Sequence, residues 1–126
     1  MKRIRFGAVL LAQLLVLGIG GGALLERTWQ IQAENLDKAA QLASDGDWAG
    51  ADALWEEARS QWERHPVWIA ALFHHDLIDE IEGLFAQLEV FSAERRAVSF
   101  SSTCDYLSRQ LESLGKSHSF NLENLL

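Results

Sequence analysis

VWIAALFHHDLIDEIEGLFAQLEVF, residues 67–91, carries the clearest periodicity in the chain. Within it Ala70, His74, Leu77, Ile81, Leu84, Leu88 and Phe91 follow one another at steps of four and three, which places them on one face of a helix. Carried onward, that phase meets Arg95, Val98, Ser102 and Asp105, of which only Val98 is apolar, so the helix should end near Phe91. A new phase starts at Ala97 and runs through Phe100, Cys104, Leu107, Leu111 and Leu114. The change of phase predicts a turn between Phe91 and Ala97, with Ser92 as the N-cap of the following helix. Gly115 should end that helix, leaving residues 117–126 as a tail.

On the other side, His65-Pro66 bounds the quoted stretch. Proline suits the first helical position and turns the residue before it away from helical geometry. Upstream lies a helix with Trp48, Trp55 and Trp62 seven residues apart and Ala51 and Ala58 between them. Before it, Trp29, Ala33, Leu36, Ala40 and Ala43 recur at spacings of three and four, predicting a helix over 27–43. Gly46 suits a left-handed C-terminal cap and Asp47 the N-cap of the tryptophan helix. No segment alternates β-branched and polar residues between turn signals, and short connections favour antiparallel neighbours. The expected fold is all-α, a small antiparallel bundle of three to four helices over residues 27–116.

Phe6 to Leu25 is apolar apart from Gln13, and as a helix it would span roughly the 30 Å of a membrane's hydrocarbon core. Lys2, Arg3 and Arg5 precede it and Glu26 follows it. The positive-inside rule then predicts a single-pass protein, with residues 1–26 as the anchor, the N-terminus cytoplasmic and the bundle extracytoplasmic. A cleaved signal peptide is the rival reading, with Gly21 and Ala23 as small residues for a peptidase. The length of the run favours the uncleaved anchor.

From Glu26 onward there are 18 acids against eight Lys and Arg, a formal −10. Such a charge repels nucleic acid and anionic headgroups, so neither is an expected ligand. Cys104 is the only cysteine, which rules out an internal disulfide, and its place on an inward stripe marks it as a small hydrophobe.

His74-His75-Asp76-Leu77-Ile78-Asp79-Glu80-Ile81-Glu82, the later leucine-rich helix and the terminal Ser119-Phe120-Asn121-Leu122-Glu123-Asn124-Leu125-Leu126 together resemble the family of small bacterial membrane proteins named domain of unknown function 4363. The resemblance covers most of the chain. It implies a single-pass helical envelope protein and an integral-membrane partner, and it brings no known activity. The tryptophan-rich second helix departs from it.

His75, Asp79 and Glu82 fall at i, i+4 and i+7, so imidazole and two carboxylates share a face that suits zinc or manganese. Against this stands the ordinary reading of a charged helix face as a solvated one. His74 lies in the apolar stripe, where a histidine bonded to a neighbouring helix is expected. Trp48, Trp55 and Trp62 read first as core and second as a surface for a partner or an apolar ligand. Ser44-Asp45-Gly46-Asp47-Trp48 between alanine-rich helices resembles one tetratricopeptide unit, but a lone unit buries no core and is read as a helical hairpin. No cofactor and no catalytic constellation is legible. The expected role is that of a membrane-anchored interaction protein or accessory subunit, docking to an integral-membrane protein or to itself, with a metal-binding domain as the alternative.

Overall fold

A computed structural model describes residues 2–64 and 68–125, with side chains described at 5, 7–13, 27–64 and 75–115. Among the described residues there are four α-helices and no strand: α1 (Lys2–Ser44), α2 (Trp48–Arg64), α3 (Trp68–Ala93) and α4 (Ala97–Leu125). The all-α bundle expected from periodicity is the fold, with four helices.

The core forms where the stripes meet. Trp29, Ala33, Leu36, Ala40 and Ala43 of α1 are buried, as are Phe100, Cys104, Leu107, Leu111 and Leu114 of α4. These two helices make the most extensive contact in the molecule. Alanines on α1 let α4 approach closely, and two serines fix the antiparallel register. Ser101 Oγ donates to the Ala40 carbonyl and Ser108 Oγ to the Ala33 carbonyl, each at 3.0 Å. The seven-residue spacing on both helices brings every second turn into the same relation. Helix α2 then packs on α1 and α3 on α4, whereas α2 and α3 barely touch along their backbones.

Two turns join the hairpins and have the same construction. At the end of α1 the Gly46 N–H donates to the Ala43 carbonyl at 3.1 Å and the Asp47 N–H to that of Leu42 at 2.8 Å. This is a Schellman cap, and it needs the φ of +85° that Gly46 adopts. Asp47 caps the next helix as expected, its Oδ1 accepting the Gly50 N–H at 3.0 Å. At the end of α3 the Arg95 N–H donates to the Ser92 carbonyl at 3.0 Å and the Arg96 N–H to that of Phe91 at 2.9 Å. Here the left-handed position is held by Arg95, at φ +54°.

Several expectations need correction. Ser92 is not an N-cap: α3 runs on to Ala93, the turn sits at 94–96, and the Ser92 side chain points across to α2. Gly115 does not end α4, which passes through it to Leu125, and Gly115 itself is buried. The helix predicted over 27–43 is not a separate element but the C-terminal part of the 43-residue α1. The α3 stripe is wider than the four-and-three steps implied, because Ile78 and Phe85 are buried beside Ile81, Leu84 and Leu88. The His65-Pro66 boundary lies outside the described residues, as does the side chain of His74.

Among the described residues no helix is long and apolar enough to cross a membrane. Much of the run Phe6–Leu25 is outside that statement, because the side chains of residues 6 and 14–26 are not described.

Candidate functional site

Where α2 and α3 fail to close, an open groove of about 470 Å³ runs between them. Trp55 forms part of its wall, and Asp52, Glu56, Arg59, Glu63, Glu89, Ser92 and Arg95 supply its polar lining. Helix periodicity explains the set. On α2, Asp52, Glu56, Arg59 and Glu63 step by four and three along a flank of the buried Ala51-Trp55-Ala58-Trp62 stripe. On α3, Glu89 and Ser92 come from the last two turns, and Arg95 from the cap that follows.

Asp52 is the centre of this lining. Its Oδ1 accepts hydrogen bonds from Trp55 Nε1 at 3.1 Å and from Ser92 Oγ, and its Oδ2 pairs with the Arg95 guanidinium at 2.8 Å. Burial pushes the carboxyl pKa up, but the bonds from Ser92, Arg95 and Trp55 outweigh it and hold the group below the usual range. Asp52 is therefore an ionised acceptor and a poor proton relay. Arg95 also lies over the Trp48 ring at 5.1 Å, so one side chain joins the start of α2 to the end of α3. Trp48 meets Phe100 of α4 edge-on at 5.2 Å.

Farther along the groove Arg59 reaches Glu89 at 2.8 Å and Glu63 of its own helix at 3.5 Å. Beneath these pairs, Trp62 meets Phe85 at 6.3 Å and Trp29 at 5.6 Å. Among the described residues no buried side-chain nitrogen or oxygen lacks a hydrogen-bond partner.

Of the residues singled out from sequence, Trp55 lines the groove and the others lie elsewhere or inside. Trp55 and Trp62 are buried in the core and Trp48 is half-buried, so most of their surface goes to packing. His75, Asp79 and Glu82 are exposed on α3. The His75 side chain, 74 % exposed, contacts only its neighbour Asp76 among the ion pairs described, at 3.1 Å. Glu80 is drawn away to accept a bond from the Tyr106 hydroxyl of α4, which raises the pKa of that phenol. Among the described residues no group of three His, Cys, Asp or Glu is placed to hold a metal ion. Cys104 is buried in the α1–α4 contact, and burial pushes its thiol pKa far up.

The Asp52 cluster was missed from sequence. Its members are some forty residues apart, and only the packing of the hairpins unites them. The α1–α4 serines did leave a signal, since Ser101 and Ser108 repeat the spacing of Ala33 and Ala40.

Neither the curated proteins nor the solved structures contain a match to this chain. One family model does match, Domain of unknown function (DUF4363), over residues 23–125, just beyond most of the apolar run. The match covers most of the chain, including the sequence element 74–82 and all but the last residue of 119–126, and the chain belongs to the DUF4363 family.

Proposed function

We propose that the chain is a membrane-anchored interaction protein, an accessory subunit that holds an acidic helical bundle at the extracytoplasmic surface beside an integral-membrane partner. The observation that carries this reading is the course of α1. One unbroken helix runs from Lys2 to Ser44, and its outer part presents Val9, Leu10 and Leu11 at 58 %, 48 % and 62 % exposure. Three consecutive bare aliphatic side chains point around the helix and need a cover, and lipid is the cover that suits a run bounded by Lys2, Arg3 and Arg5 on one side. The continuity of α1 would carry the proposed anchor straight into the α1–α4 contact. A bundle without a legible catalytic constellation, held this way, is suited to docking.

The test is co-purification of the full chain from membranes in mild detergent. One integral-membrane protein recovered reproducibly, and lost when residues 27–126 are replaced by an unrelated helical domain, is the expected result. Recovery of no specific protein, or equal recovery with the replaced domain, contradicts the reading.

A further inference from the structure

We propose that the α2–α3 seam parts at its Asp52 end, away from the three residues 65–67 that join the two helices, with the α1–α4 contact as its spine and the polar cluster centred on Asp52 as its latch. Three observations carry this. First, the packing is lopsided: α1 and α4 share a continuous row of buried Leu, Ala and Phe side chains, while the described parts of α2 and α3 hardly approach each other. Second, a set of polar bridges crosses the seam outside the shared core. Ser92 and Arg95 bind Asp52, and Arg59 binds Glu89. Ring contacts span it as well, with Trp62 against Phe85 and Arg95 over Trp48. Third, an open groove lined by both helices runs along this length.

The strengths differ accordingly. A buried aliphatic row resists separation through its whole area, at roughly 25 cal/mol per Å². Half-exposed ion pairs contribute little each and are screened by salt. Asp52 is the strongest point because its carboxylate is 24 % exposed and collects three donors. Each hairpin keeps its own turn when the seam parts, since the caps at Gly46 and Arg95 are closed by backbone bonds within one hairpin. Opening at the Asp52 end exposes one face of Trp55 without unfolding a helix, while the Trp62–Phe85 contact near the link stays closed. Low-stability seams of this kind are where proteins move.

The test uses the full chain in detergent micelles with pairs of spin labels. Glu57→Cys with Val90→Cys straddles the seam, and Glu34→Cys with Arg109→Cys straddles the spine; all four positions are exposed. The native Cys104 thiol is buried and stays unlabelled. At low salt both pairs should give one short distance. In roughly 1 M NaCl, where the screening length falls to about 3 Å, a longer distance should grow several-fold in the seam pair alone. Asp52→Ala with Arg59→Ala should produce the same longer distance at low salt. A seam distance indifferent to salt, or broadening of both pairs together, overturns the proposal. The salt series leaves every latch residue native, so it decides the matter even if the double variant fails to fold.

Discussion

At the residue scale the glycines show how backbone and space decide a substitution. Gly83 lies within α3 with nothing near the position of an added Cβ, so Gly83→Ala should stabilise the bundle by about 0.5–1 kcal/mol. Gly50 lies within α2, yet its added Cβ would meet Asp47 Oδ2 at 2.8 Å and Leu42 Cδ1 at 3.0 Å. Gly50→Ala should therefore lack that gain, because the new methyl displaces the cap that Asp47 provides. Gly46→Ala has open space but a φ of +85°, and should cost about 1–2 kcal/mol. Chemical denaturation of the three variants checks all three signs. Arg95 is the matching left-handed position in the second turn, and no glycine marks it. The turn itself lies where the change of phase put it, between Phe91 and Ala97, but its cap was misassigned: the visible cue, Ser92, is used for a bond to Asp52 instead.

At the element scale, α4 and the α2–α3 seam should respond differently. Leu107 and Leu111 are fully buried against α1, so Leu107→Ala should cost about 2–5 kcal/mol, read as a fall in the denaturation midpoint. The seam should be sensitive to acid. Asp52 has a folded pKa below its unfolded one, so its stabilisation is complete above the unfolded value and is lost as pH falls through the folded value. Thermal unfolding between about pH 6 and pH 3 should show a stability loss that shrinks in Asp52→Asn. Equal acid sensitivity in both proteins would place the responsible carboxylates elsewhere. Stripes such as Phe100-Cys104-Leu107-Leu111-Leu114 were legible because core burial writes itself as a period. Asp52, Ser92 and Arg95 were not, because a polar contact between distant helices leaves no period. The breadth of the α3 face was missed for a related reason: Ile78 and Phe85 lie beside the four-and-three steps, and packing against α4 and α2 recruits both flanks.

At the scale of the whole molecule, the four-helix fold and the DUF4363 family follow from the chain's own pattern and its family match. The anchor and its partner rest on the apolar run, the basic residues before it and the acids after it. The continuity of α1 gives that reading a mechanical consequence. Under the anchored reading, α1 would run from the proposed membrane segment straight into its contact with α4. The most direct measurement is the intact mass and fractionation of a C-terminally tagged full-length chain expressed in bacteria. A full-length mass confined to the membrane fraction, with the tag digested by protease added outside the cytoplasmic membrane, is the predicted result. A shortened chain lacking the apolar run, released as soluble protein, would contradict the anchor and with it the account of the bundle as a tethered subunit.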